Sequence, residues 1–342
     1  MDLTTHYLGL RLRNPLLASA SPLSSTVDGV RRLADAGVGA VVLYSLFEEQ
    51  LRREAAHNER MALQGSESYA ESLSYFPATV EPSGNGSGAQ RYLRQLERAV
   101  AAVDVPVIGS LNASTPGNWA HYARRMQDAG SAAIELNIYY LPGDTDVDGR
   151  AVEQRHLDVL AEAKSAVDIP VAVKLSPYFS ATTDMAHRLD AAGADGLVLF
   201  NRFLQPDIDP ETLGTVRTVA LSNPADTRLP LTWITLLHKR IRACLAASTG
   251  VETARDVAKY LLAGADVVQS ASALLRHGPE YAAVLLRDLA DWLDRKGFQR
   301  LDEVRGLLAA PGGEEPGSLT ARERADYVWI MRKANSGIYE AY

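Results

Sequence analysis

The chain has 342 residues, 46% hydrophobic and 23% charged, the make-up of a globular protein with ample material for a core. A net charge of −7 without a basic block argues against nucleic acid and anionic membrane as partners. One cysteine, Cys244, excludes an intramolecular disulfide and a cysteine-based metal cluster, and no metal site is expected.

The N-terminal MDLTTHYLGLRLRNP lacks an apolar signal core, and no run reaches the roughly 18 apolar residues of a membrane span. A cytoplasmic location is therefore expected. Short β-rich apolar runs then recur: PLLASAS (15–21), GAVVLYS (39–45), PVIGSLNA (106–113), AAIELNIYY (132–140), PVAVKLS (170–176), GLVLFN (196–201), CLAASTG (244–250) and DVVQSAS (266–272). Their continuous apolar character fits parallel strands covered on both faces. Amphipathic stretches lie between them at 26–37, 89–103, 117–130, 152–167, 181–193 and 252–264. Several end in Ala-Gly, as in DAGVGA, DAGSAA, AAGADG and LAGADV, which places glycine where a left-handed residue closes a helix. Eight such units predict an α/β fold of the (β/α)8 TIM-barrel type rather than an open sheet. No Gly-x-Gly-x-x-Gly follows the first run, which weakens a dinucleotide-binding reading.

Three segments interrupt the repeat. Residues 46–88 form a long excursion after strand two, ending in EPSGNGSG, and residues 202–233 form another after strand six. Long loops after barrel strands lie on the face where barrel enzymes keep their sites. Residues 298–342 form a C-terminal extension, with APGGEEPGS as its linker, packed on the barrel or on a neighbouring subunit; the barrel itself is expected over 1–297. The opening LTTHYLGLRLRNP fits a small hairpin capping the barrel bottom.

The strand ends are polar almost throughout: Ser19, Tyr44, Ser45, Asn112, Asn137, Tyr139, Lys174, Asn201, Thr249 and Ser272 all fall there. Strands end at solvent, so one such residue means little, but VAVKLS buries a lysine in an apolar strand, and lysines are rarely buried without a partner. AASTGVETARDV and VVQSASALLRHG each run from a strand through small residues into a helix start, a form that suits an anion. A phosphate on strands seven and eight, a lysine on strand five and amides on strands four and six suit a flat heterocycle with a phosphate tail. Flavin mononucleotide (FMN) is the natural candidate.

RNPLLASA, IELNIYYLPG, PVAVKLSPYFS, GADGLVLFNR and LAGADVVQSASAL, in this order and spacing, resemble the dihydroorotate dehydrogenase family, nearest in outline to its soluble class 1 members, over about residues 3–295. The resemblance implies FMN and oxidation of dihydroorotate to orotate in pyrimidine biosynthesis. It implies flavin contacts from Ala18, Ser19, Ser45, Asn137 and Lys174, and phosphate-binding turns at Thr249–Gly250 and Ala271–Ser272. It also implies that Asn201 faces the substrate, with Tyr44 and Asn112 nearby. A cation about 4 Å from negative charge on a reduced flavin gains about 4 kcal/mol at an effective dielectric of 20, a fitting task for Lys174.

Departures from the family pattern concentrate on the substrate side. Tyr44 stands where the family has a lysine contacting flavin and substrate. The Asn-x-Met-Gly substrate loop is absent from 46–88, with LSYFPATV at about the right place. Tyr140 occupies the position of the Cys or Ser base, Leu141–Pro142 replaces the following Pro-Asn, and Ala271 replaces a phosphate-turn glycine. Holding a phenol of ordinary pKa near 10 ionised at pH 7 costs about 4 kcal/mol. Tyr140 and Tyr139 are therefore catalytic candidates that serve equally well as pocket walls. The expected partners are a small-molecule substrate and an electron acceptor or redox partner that the sequence leaves open; a homodimer is allowed. Two other readings stay open: a non-redox barrel enzyme using Lys174 as a Schiff base on a phosphorylated substrate, and a flavin-binding protein that has lost catalysis.

Overall fold

The computed structural model describes residues 1–48, 88–113, 117, 119–202, 207–216, 220–310 and 318–334. Thr5–Tyr7 (β1) and Leu10–Leu12 (β2) pair antiparallel as the expected hairpin. Leu8 and Gly9 form its two-residue turn with φ of 53° and 72°, a doubly left-handed turn that matches the twist of the flanking strands. The hairpin inserts Tyr7, Leu8 and Leu12 among Leu17, Ala40, Val42, Ile108, Ala133, Ala172, Val198, Ala246 and Val267, plugging the barrel floor. Gly196 makes room for this plug, since a Cβ there would lie 2.7 Å from Leu8 Cδ2.

Eight parallel strands among the described residues close the barrel: Leu16–Ala18 (β3), Ala40–Val42 (β4), Val107–Ala113 (β6), Ala133–Ile138 (β7), Val171–Leu175 (β8), Gly196–Leu199 (β9), Cys244–Ser248 (β12) and Val267–Ser270 (β13). Closure comes from β4 pairing with both β3 and β6, and from β13 pairing back to β3. Leu46–Phe47 (β5) adds a short pairing to β6 at the mouth. Residues 49–87, with LSYFPATV and most of EPSGNGSG, lie outside the described residues.

Helices cover the outer face: Val27–Asp35 (α1), Gly88–Val100 (α2), Trp119–Asp128 (α3), Gly149–Lys164 (α4), Thr182–Ala191 (α5), Arg228–Leu237 (α6), Ala254–Ala263 (α7), Ser272–His277 (α8) and Tyr281–Arg295 (α9). The Ala-Gly phrases do what their chemistry requires: Gly37, Gly130, Gly193 and Gly264 all have positive φ, from 88° to 113°. At the other end of α7, Thr253 and Asp256 form a reciprocal capping box.

The loop after β9 is shorter and more structured than expected. Asp207–Asp209 (β10) and Gly214–Val216 (β11) form an antiparallel hairpin, and α6 takes up 228–233, which the sequence pattern assigned to the loop. Its segment RLPLTWITLL has no clear polar face to mark it, and Pro230 suggests a loop. That proline falls in the first turn, where its missing N–H costs nothing.

By contacts the chain divides into Met1–Ala309 and Ala310–Tyr342. In the first unit Leu301 and Val304 are buried, and the Gly306 N–H donates to Leu261 O at 2.9 Å. The second contains Ser318–Ala334 (α10), with Tyr327, Trp329 and Ile330 exposed. Among the described residues no helix is long and apolar enough to cross a membrane.

Candidate active site

Side chains alternate along a strand, and the barrel interior is built from that alternation. Above the apolar floor set by Ile108, Ala133, Ala172 and Val267, the next inward positions are Ser110, Glu135, Lys174 and Gln269. The layer above brings Asn112 level with Asn137, and Asn137 level with Lys174 on the neighbouring strand. The interior thus changes from hydrocarbon to charge to amide towards the mouth.

Lys174 is only 6% exposed and Glu135 1%. The Lys174 ammonium donates to Ser19 Oγ at 3.1 Å, Gln269 Oε1 at 3.3 Å and Glu135 Oε1 at 3.4 Å. Gln269 Nε2 donates to the other Glu135 oxygen at 2.6 Å, and Ser19 Oγ donates to Gln269 Oε1 at 3.0 Å. Each partner satisfies another, the condition under which a buried ion pair is tolerated. One layer up, Asn201 Nδ2 donates to Asn137 Oδ1 at 2.7 Å; within the charged layer Ser110 shares a 2.8 Å hydroxyl contact with Ser45.

A cavity of about 170 Å³ opens beside this network, lined by Ser19, Lys174, Asn201, Arg202, Gln269 and the turns Ser248–Val251 and Ser270–Ser272. Thr249 and Gly250 both adopt positive φ, 82° and 75°. Thr249 is held there by its hydroxyl on Phe200 O at 3.1 Å and by Tyr260, whose OH donates to Thr249 O at 2.7 Å. Burial pushes the Tyr260 phenol well up, so it stays a donor. A side chain at Gly250 would force this turn to shift, because a Cβ would fall 2.7 Å from Thr227 N and 3.0 Å from Asn223 O.

The two turns meet at Ser222. The Gly250 N–H donates to Ser222 Oγ at 3.1 Å, and Ser272 Oγ lies 2.8 Å from the same oxygen. Two arginines strap this stretch: Arg202 donates to Ala220 O, and Arg276 donates to Ser222 O at 3.2 Å while pairing with Glu252. Backbone N–H, hydroxyl and guanidinium donors therefore converge at one end of the cavity, and a buried ammonium stands at its side. That donor set fits a phosphate-tailed cofactor.

Of the residues singled out in the sequence, Ser19, Lys174, Asn201, Thr249, Gly250, Ala271 and Ser272 line the cavity together. Asn137, Asn112 and Ser45 stand in the polar layer beside it. Ala18 points outward into the core beneath the helices, leaving only its backbone to face a ligand. Tyr44, Tyr139 and Tyr140 are not among the lining residues. The Tyr44 ring packs 5.2 Å from Tyr92 of α2, and burial pushes its phenol up. Tyr140 lies beneath the Arg155 guanidinium of α4, 3.8 Å from ring centroid to cation. Cys244 is half-buried on the floor, its thiol pushed up by burial.

Sequence reasoning missed Glu135, Gln269, Ser222 and Arg202. Glu135 and Gln269 carried a signal like that of Lys174, a polar side chain inside an apolar strand. Ser222 and Arg202 had none.

The family model described as dihydroorotate dehydrogenase matches residues 2–293. Similar proteins include the catalytic subunit of dihydroorotate dehydrogenase B (NAD(+)) from Methanothermobacter thermautotrophicus, 26% identical over 89% of this chain and 98% of the relative. Proteins of the same name from Thermoplasma acidophilum and Methanocella arvoryzae are 27% and 28% identical, each over 90% of this chain and 98% of the relative. With a closed parallel barrel, a buried lysine beside paired small-residue turns and a family match over most of its length, the chain belongs to the dihydroorotate dehydrogenase family of oxidoreductases.

Proposed function

We propose that the chain is an FMN-dependent oxidoreductase acting on a carbon–carbon single bond of a small molecule, with a substrate side rewritten away from dihydroorotate. The observation that carries this reading is the shared cavity. Lys174 and Ser19 stand on its wall, and Thr249–Gly250 and Ala271–Ser272 form one end. FMN, when bound, supplies the hydride acceptor.

The protein's own groups divide the remaining work. Gly250 N–H donates to the Ser222 hydroxyl and that hydroxyl to Ser272 Oγ, so the chain leaves the Ser272 O–H to donate to a phosphate, and Arg202 adds positive charge, its described partner being a carbonyl. Lys174 supplies a cation beside the ring system, and Asn137 and Asn201, locked to each other, present amide edges. Lys174 is paired with a buried carboxylate, whereas Schiff-base chemistry needs a free neutral amine. The substrate reading rests on two replacements: Tyr44, packed on Tyr92, where the family pattern has a lysine, and Tyr140, engaged by Arg155 on the helix side, where it has the base. The relatives named NAD(+)-type catalytic subunits point to a redox partner for this chain as well.

The visible spectrum of the purified protein tests the cofactor. Flavin bands at about one FMN per chain are expected. A colourless protein that leaves added FMN fluorescence unquenched would overturn the reading.

A further inference from the structure

Glu135 is not among the cavity-lining residues and touches the site only through its partners. It sits on β7 at 1% exposure, and both carboxylate oxygens are used. One meets Lys174 and the other takes a short 2.6 Å hydrogen bond from Gln269. Gln269 is itself 1% exposed. An ammonium has three N–H donors, and Lys174 has three acceptors in Ser19, Gln269 and Glu135. In this arrangement Lys174 acts on the cavity as a charge rather than as a free donor. How much charge it presents depends on the carboxylate behind it.

A lysine alone in this layer would carry one full positive charge into a low-dielectric interior. Glu135 nearly cancels that charge at a distance while leaving the ammonium nearest the cavity. The result is a short-range dipole rather than a monopole. Gln269 fixes its direction, because its amide donates to Glu135 and accepts from both Lys174 and Ser19.

We propose that Glu135 is a positioning residue that holds the Lys174 ammonium at the cavity wall and sets the two-electron potential of the bound flavin by offsetting that ammonium's charge. This rests on the flavin reading above. Reduction adds negative charge to the cofactor, so removing the Glu135 charge favours the reduced state.

The test is the potential of the flavin-loaded protein, measured anaerobically against a reference dye. Glu135→Gln keeps the shape and one of the two accepted hydrogen bonds but removes the charge. It is expected to raise the reduction equilibrium constant at least tenfold, about 30 mV for a two-electron couple. Glu135→Asp keeps the charge and should stay within threefold of wild type, even where its shorter side chain lowers the melting temperature. Equal shifts in the Gln and Asp variants, or a Gln variant within threefold of wild type, would overturn the proposal. If Glu135→Gln does not fold, Lys174→Gln is compared with the double variant Lys174→Gln, Glu135→Gln. A rise of at least threefold on removing Glu135 supports the proposal, and no rise overturns it. A wild-type protein that binds no flavin removes the flavin reading itself; a loaded protein with an unresponsive potential removes only the role of Glu135.

Discussion

Replacing Lys174 with methionine should destabilise the barrel by an amount that the layered interior makes calculable. The substitution keeps the length of the apolar stem but leaves the Glu135 carboxylate buried, with Gln269 Nε2 as its remaining described partner. Breaking a buried ion pair on one side costs about 3–5 kcal/mol. With an unfolding entropy of about 2.1 cal/mol/K per residue and a unit spanning Met1–Ala309, this corresponds to a fall in melting temperature of about 5–8 °C. The assay is thermal unfolding of flavin-free protein, so that lost cofactor binding does not enter. The double variant Lys174→Met, Glu135→Leu removes both charges and should recover more than half of the loss, since apolar replacement of a buried pair is often close to neutral. A single variant that melts within 1 °C of wild type would refute the reasoning, as would a double variant no more stable than the single one.

Gly250→Ala combines about 1–2 kcal/mol of left-handed backbone strain with a Cβ 2.7 Å from Thr227 N. It should lower both the melting temperature and the FMN content after purification; unchanged values in both would show that the turn can relax. Arg202→Ala should weaken FMN binding at least tenfold while leaving riboflavin, which lacks the phosphate, within threefold of wild type. Equal losses for the two ligands by fluorescence titration would count against a phosphate role. His156 is buried with Nδ1 2.8 Å from Val152 O and Nε2 unpartnered, and burial holds its pKa below the usual histidine value. A depressed folded pKa means that the unfolded chain takes up the proton first, so stability should fall as pH drops below about 6.5. Melting curves from pH 7.5 to 5 should show this slope, shallower in His156→Met; an identical slope would place the effect elsewhere. His238, also depressed by burial, contributes with the same sign.

Much of the fold was legible because it depends on local chemistry. Each apolar run became a strand, and each Ala-Gly phrase put a left-handed glycine at a helix end, Gly37 and Gly264 among them. The helix α6 was hidden because RLPLTWITLL lacks the polar face that reveals its neighbours. In the site, Lys174 stood out as a charge inside VAVKLS. Its partner Glu135 lies 39 residues before it and Gln269 95 residues after it. Periodicity places each inside the barrel but does not say that they touch. Ser222 and Arg202 were out of reach for another reason: they belong to an irregular loop, and only the closed barrel brings Ser222 to Ser272, 50 residues on. Tyr140 shows the reverse limit. Its position in IELNIYYLPG matched the family's base and left a pocket wall equally open, and nothing in that stretch pointed to Arg155 of α4 over its ring.

The most direct test of a retained flavin side and a rewritten substrate side is anaerobic stopped-flow mixing of the flavin-loaded protein with dihydroorotate at pH 7. Loss of general-base assistance alone removes about 10²–10⁴-fold from turnover numbers that are typically about 1–10³ per second. The expected result is flavin that stays oxidised over seconds with saturating dihydroorotate and is bleached at once by dithionite. Complete bleaching by dihydroorotate at more than about one per second would contradict it, and would make this chain a dihydroorotate dehydrogenase whose base is a residue other than Cys or Ser at position 140.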